Sequence, residues 1–221
     1  MASIESETIS EKNTRYIFEK LGIPLSKIQE SDCLRPDFEG EISDRRIIVE
    51  VKSIHANPNE KDVLNSIDRN DIVSMSVTLD GKRFMKDFSK ANKQLKMYSN
   101  DTDFCIVAIE DVRDFFVRSE SPVLELHQAM YGEYTSWINI DNPSVCIDTH
   151  GKTRALNSRK NTTISCALLV VGNKDKSKIS AVCIHNRFAK NPFPEGIFTQ
   201  AGYREYKSKL NGQREQLIEI N

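Results

Sequence analysis

Across its 221 residues the chain has no Cys-x-x-Cys pair, no His-x-x-x-His spacing, no Gly-x-Ser-x-Gly elbow and no Walker A loop. These absences argue against zinc-ribbon or iron–sulfur ligation by a local motif, a histidine-led metal site, a serine-hydrolase nucleophile and an ATP-driven motor in this chain. The cysteines Cys33, Cys105, Cys146, Cys166 and Cys183 are scattered, and Cys105, Cys166 and Cys183 fall in apolar runs that suit reduced core thiols. His55, His127, His150 and His185 read as packed or surface residues, His55 alone lying close to the charged motif described below. No stretch approaches the roughly 18–20 apolar residues of a membrane span, and the first residues lack an apolar signal region. No membrane partner is expected, and cytoplasmic residence is the default. Charge is balanced, with 31 Lys and Arg against 32 Asp and Glu, so any phosphate-binding surface has to be local. No repeat or low-complexity segment is evident, and the length suits a single domain over residues 1–221.

What is present is a charged motif on an apolar frame. Arg35-Pro36-Asp37-Phe38-Glu39-Gly40 is followed, thirteen positions after Asp37, by Glu50-Val51-Lys52. Ile47-Ile48-Val49-Glu50-Val51 is β-branched except at Glu50 and reads as a strand buried on both faces. Alternation puts Ile48, Glu50 and Lys52 on one face and Ile47, Val49 and Val51 on the other. A two-residue turn at Ser43-Asp44 would pair Ile42 with Arg45 and bring Asp37 opposite Glu50. Opposed residues have Cβ atoms about 4.5–5.5 Å apart, where like charges repel. A hard divalent ion between the two carboxylates would relieve that cost, and magnesium commonly takes one or two carboxylates with phosphate and water. Lys52, on the face of Glu50, could hold an attacking water or stabilise charge on a phosphoryl transition state. The plainer reading is an ordinary exposed strand pair with Asp37 in a turn.

These residues resemble the PD-(D/E)xK nuclease superfamily, with Pro36-Asp37 as the first half of its motif and Glu50-Val51-Lys52 as the second. The resemblance implies a restriction-endonuclease-like core. It also implies Mg2+, or Mn2+ in its place, held by Asp37, Glu50 and the backbone carbonyl of Val51. Asp37, Glu50 and Lys52 would then be the catalytic set, Lys52 assisting the hydrolytic water.

The flanking segments fit. Residues 8–21 read as a helix, with Ile9, Tyr16, Ile17 and Leu21 near a 3.6-residue spacing and Gly22 and Pro24 as a stop. By resemblance Glu11 is the helical glutamate that supports the metal site, although Thr8-Ile9-Ser10-Glu11 also has the form of a capping box. Residues 82–98 read as a helix rich in lysine, with Asp87 as its single acid. Gln94 and Tyr98 share a face of it and are similar to the Gln-x-x-x-Tyr element of RecB-like nucleases. That likeness implies nucleic-acid contacts from Gln94 and Tyr98, and the basic face adds Arg83, Lys90 and Lys93. The rival reading of this run is a solvated helix face.

Elsewhere the pattern predicts strands at residues 104–109, 164–171 and 179–185, with a break at Gly172-Asn173-Lys174-Asp175. It predicts a helix near 123–131, an irregular stretch around 137–143, a turn at Asn57-Pro58-Asn59, a short helix or strand around 67–79 and a closing helix in the tail. The polar segment at about 56–80 could be a substrate-contacting insertion. The fold class expected is α/β, a mixed central sheet flanked by helices, with the resemblance covering residues 8–109. The function expected is a metal-dependent DNA endonuclease of restriction, defence or repair type, working alone, as a homodimer or as a subunit of a larger complex. The alternatives are a non-catalytic nucleic-acid-binding or scaffold module on the same frame, and a resolvase of four-way (Holliday) junctions.

Overall fold

The apolar run through Ile47, Ile48 and Val49 is the spine of the molecule. In the computed structural model it lies inside an eight-stranded mixed sheet with helices on both faces. The structure describes residues 7–29, 34–69, 81–118, 121–138, 140–142, 146–151, 153–171, 179–212 and 214–221. The chain is an α/β protein, as its interleaved strand and helix patterns predict.

Helix α1 (Ile9–Lys20) and a short strand β1 (Ser26–Lys27) precede a hairpin of β2 (Phe38–Ile42) and β3 (Arg45–Ile54). Helices α2 (Pro58–Asp68) and α3 (Lys82–Tyr98) lead to β4 (Phe104–Asp111), a 3-10 turn at Phe115–Val117 and helix α4 (Pro122–Tyr131). Strands β5 (Tyr134–Ile138) and β6 (Cys146–His150) pair with each other in a small separate sheet. Strands β7 (Ile164–Val171) and β8 (Ser180–His185), the one-turn helix α5 (Ile197–Gln200) and strands β9 (Arg204–Asn211) and β10 (Arg214–Glu219) complete the chain. The large sheet runs β1-β2-β3-β4-β7-β8-β9-β10. Its β3–β4, β4–β7 and β8–β9 neighbours are parallel, and the rest are antiparallel.

Side-chain alternation splits the core in two. Ile48, Val107, Ile109 and Leu169 face Phe84, Phe88 and Leu95 of α3, while Val49, Ile106 and Leu168 face Ile17 and Phe18 of α1 and Phe198 of α5. The central strands are apolar on both faces because helices cover both. Glu50 therefore projects to the α3 face through a layer that is otherwise hydrocarbon.

Two close approaches set the helices and the hairpin. Gly81, with φ +61°, caps α3 where an added Cβ would lie 2.7 Å from the Ala129 nitrogen of α4. At Gly40 in β2 an added Cβ would come within 2.9 Å of the Pro24 carbonyl oxygen. The far end of α3 is tied down by Arg46, which donates to Asp103 at 2.7 Å while that carboxylate accepts the Asn100 N–H at 2.7 Å.

Several expectations change. Asn57-Pro58 is not a free turn: Asn57 caps α2 with Pro58 in the first helical turn, and Glu60 closes a capping box. The tail ends in the β9–β10 hairpin rather than a helix. Its inward positions carry the buried polar residues Glu205, Ser208 and Glu215, which obscure the period-two hydrophobic signal. These are satisfied by His185, His127 and Arg187, with the His185–Glu205 contact at 2.6 Å. Trp137 lies in β5, so part of the expected irregular stretch is strand. Cys105, Cys166 and Cys183 are free and buried, as expected. The break at 172–175, Cys33 and all but the start of the 67–79 segment lie outside the described residues. No described helix is long and apolar enough to cross a membrane.

Candidate active site

The hairpin register places the first acid. Ile42 pairs with Arg45 and Phe38 with Val49, so Asp37 sits one step beyond the last ladder pair, beside Glu50. Ser43 and Asp44 take φ values of +49° and +60°, the left-handed pair that closes a two-residue hairpin in register. Past Asp37 the ladder has to stop, because Pro36 has no N–H to give. The backbone of Asp37 is nevertheless held on both sides: its N–H donates to Val49 O at 3.1 Å and its carbonyl accepts the Ile28 N–H at 2.9 Å. Its side chain replaces the missing ladder partner, with Oδ2 accepting the Val51 N–H at 2.7 Å. Asp37 is thus fixed where β2 splays from β3.

Glu50 is 1% exposed. One carboxylate oxygen, Oε1, accepts from the Lys52 ammonium. The other, Oε2, is buried with no hydrogen-bond partner among the described residues. Burial first, and the nearby Asp37 second, push the Glu50 carboxyl up to about 8, against the pull of Lys52 and Gln94. The Asp37 carboxyl is also raised, by burial and then by Glu11, with the Val51 N–H, Lys52 and Lys27 opposing.

Lys52 is held by two elements. Its Nζ donates to Glu50 and, at 3.2 Å, to Oε1 of Gln94 on α3. The Gln94 amide nitrogen donates in turn to the Arg35 carbonyl at 2.9 Å. A single glutamine therefore joins the lysine to the loop that carries Pro36-Asp37. One turn further along α3, the Tyr98 hydroxyl donates to Glu39 of β2 at 3.1 Å, and its ring lies 5.3 Å from the Arg46 guanidinium. Tyr98 contacts the middle of the hairpin rather than the acid pair.

Glu11 closes the expected capping box on Thr8, with Oε2 accepting the Thr8 N–H at 2.6 Å, and also faces the acid pair electrostatically. Oε1 accepts from Lys27 of β1, and its charge acts on Asp37. Among the described residues no three or more His, Cys, Asp or Glu side chains are grouped to hold a metal, so Glu11 does not complete a three-acid cage. Lys90 and Lys93 are exposed on α3. Arg83 stands apart from them: it is paired with Glu60 of α2 at 2.8 Å, beside the buried Arg113–Asp111–Glu125 network.

Sequence reasoning passed over two features. Asp87, half-buried and with its carboxyl raised by burial, lies within electrostatic reach of Lys90, Lys52 and Lys86. Its position two helical turns before Gln94 is the signal that could have placed it on the site face. Behind the site, Asn13 donates to buried Glu110 at 2.7 Å and Ser53 bonds Ser10 at 2.7 Å, fixing the start of α1 over β3 and β4.

The arrangement suits a hard divalent ion. It offers two acids side by side, one with an orphaned buried oxygen, and burial, with Asp37 as the second cause, disfavours the charged form of Glu50, a cost that a bound cation would offset. Comparison with protein-family models, with curated proteins and with solved structures returns no match.

Proposed function

We propose that this chain is a magnesium-dependent nuclease of the PD-(D/E)xK kind, cutting DNA phosphodiester bonds, with the restriction-endonuclease-like core that this implies. The observation that carries the reading is the buried Glu50 carboxylate, with one oxygen on Lys52 and the other unpartnered beside Asp37. A buried carboxylate oxygen left without a partner costs about 1–3 kcal/mol; Glu110 of β4 also keeps one, and Glu50 differs from it in standing beside Asp37 with Lys52 on its other oxygen.

Asp37 and Glu50 would hold the ion, with the Val51 carbonyl beside them, and Mn2+ would serve in place of Mg2+. When bound, the ion supplies Lewis-acid polarisation of the phosphate and activation of water. The chain's own residues do the rest. Lys52 presents an ammonium to the attacking water and to a non-bridging phosphate oxygen. Gln94 aims that ammonium and holds the Arg35 loop. Exposed Lys86, Lys90 and Lys93 on α3 take the phosphates of the strand leading to the site. Water adds to phosphorus and gives up one proton to solvent, an ester P–O bond breaks, and the leaving oxygen takes a proton from solvent.

A second reading is a nucleic-acid-binding module without catalysis. It is favoured by Lys52 being tied to both Glu50 and Gln94, a closed arrangement that needs no substrate. Incubation with supercoiled, linear, branched and single-stranded DNA and with RNA, with and without Mg2+, separates the two. Magnesium-dependent cleavage that disappears in Lys52→Ala supports the nuclease. Retarded migration without cleavage on every substrate supports the binding module, and preference for branched DNA identifies a junction resolvase.

A further inference from the structure

We propose that the ammonium of Lys27 fills the place of a second cation, so that the site takes a single divalent ion. This rests on the metal-site reading above and adds to it a statement about stoichiometry and about a residue outside the acid–acid–lysine motif.

The geometry begins at β1. Lys27 pairs with Phe38, the neighbour of Asp37, and Ile28 donates to the Asp37 carbonyl at 2.9 Å. The Lys27 side chain lies over the Phe38 ring, 5.5 Å from its centroid, and its Nζ bonds Glu11 Oε1. The other Glu11 oxygen is bound to the Thr8 N–H at 2.6 Å. Both oxygens of Glu11 are thus occupied, one by a full positive charge. Asp37 lies between two acid–lysine pairs, Glu11–Lys27 on the α1 side and Glu50–Lys52 on the α3 side, and feels both lysines.

The pairs differ in one respect. Glu50 keeps an orphaned buried oxygen, whereas both Glu11 oxygens have partners. When all are ionised, three carboxylates and two ammoniums leave one net negative charge, which a single divalent ion already more than neutralises. A second ion at Glu11 would have to displace Lys27 from its carboxylate and then sit beside the displaced ammonium. Two cations held that close repel strongly even with generous screening. Replacing Lys27 with an uncharged side chain removes the obstacle and releases a part-buried carboxylate next to Asp37. Lys27 is therefore a positioning residue that sets how many ions the site accepts.

Titration of the full-length chain with Mn2+, followed by calorimetry and by the free-Mn2+ paramagnetic resonance signal, tests this without reference to activity. The wild type and Glu11→Gln should each bind one ion. Lys27→Met should bind two, Lys27→Arg one, and Glu11→Gln combined with Lys27→Met should return to one. A wild type binding two ions, one of which is lost in Glu11→Gln, would overturn the inference and leave the metal site standing. A folded Lys27→Met that binds only one ion would do the same. If Lys27→Met does not fold, Lys27→Gln takes its place, and a folded variant that still binds one ion overturns the inference. A wild type that binds no Mn2+ would overturn the metal-site reading itself, and the inference with it.

Discussion

The Asp37 carboxylate accepts the Val51 backbone N–H at 2.7 Å, so an acid from one strand closes the ladder at the residue between the acid and the lysine of the next. Asp37 therefore has two separable jobs, a hydrogen bond and a charge. Asp37→Asn keeps an oxygen for the Val51 N–H and removes the charge. Its thermal midpoint should equal or exceed that of the wild type in metal-free buffer, since the cost of the Asp37 charge is removed, while Mg2+ binding and cleavage are lost. Asp37→Ala should lose both functions and about 1–3 kcal/mol of stability, because the N–H is left without its partner. Equal stability of the Asn and Ala variants would show that the hydrogen bond does not hold the splayed end of the hairpin.

Glu50 predicts a pH signature. Its carboxyl is raised from 4.5 to about 8, so between those values the folded state holds a proton that the unfolded state has released. Stability from this group is complete below about 4.5 and is lost as pH rises through about 8. Asp37 is raised too and adds to the slope in the same direction, while Glu11, Glu60 and Glu205 are lowered and act oppositely at acid pH. The difference between wild type and Glu50→Gln isolates the group. In metal-free buffer the wild type should lose thermal stability relative to Glu50→Gln from pH 5 to pH 9, and Mg2+ should flatten the wild-type curve only. Parallel curves for the two proteins at every pH would mean that Glu50 is ionised throughout.

Much of the site was readable because its parts are local in sequence. The β-branched run at Ile47–Val49 dictates a strand, the two-residue turn dictates the register, and register alone sets Asp37 beside Glu50. The α3 limits and the Thr8–Glu11 capping box followed from periodicity and cap chemistry. The contacts that escaped are long-range. Nothing in the spacing tells that Lys27 reaches Glu11, that Gln94 bridges Lys52 to Arg35, or that Arg83 turns to Glu60, since each depends on how α1, α2 and α3 lie on the sheet. The closing hairpin escaped for another reason. Its inward Glu205 and Glu215 look like surface residues until Arg187 and His185 are placed beside them.

Gln94 is the residue through which α3 acts on the acids. Its amide oxygen accepts from Lys52, and its amide nitrogen donates to the Arg35 carbonyl and also favours the charged form of Glu50, so both ends of the side chain are engaged. Gln94→Ala should lower kcat by about 10–100-fold, the scale of losing a partner that orients a reacting group, with little change in KM. Gln94→Glu keeps an acceptor for Lys52, loses the donor to Arg35 and adds a carboxylate that competes with Glu50 for the ammonium. It should fall at least as far as the alanine variant. A Glu variant with near wild-type kcat would show that the Arg35 contact is dispensable and that only the acceptor matters.

The basic face of α3 predicts a division between its own residues. Lys90 and Lys93 are exposed, while Arg83 is half-buried and pairs with Glu60 at 2.8 Å. Each phosphate contact to duplex DNA contributes about 0.9 to the slope of log affinity against log salt. In a cleavage-deficient Asp37→Asn background, Lys90→Ala with Lys93→Ala should weaken binding on every sequence and reduce that slope by about two, read by fluorescence anisotropy across a salt series. Arg83→Ala should leave the slope unchanged and instead lower stability by up to about 1 kcal/mol, the scale of a part-exposed ion pair. The reverse pattern, with Arg83 setting the slope and the lysines silent, would mean that the nucleic acid crosses the α2 end of the helix. In that case the arginine would leave Glu60 to meet a phosphate, and the polar segment after His55 would be the surface on which the substrate lies.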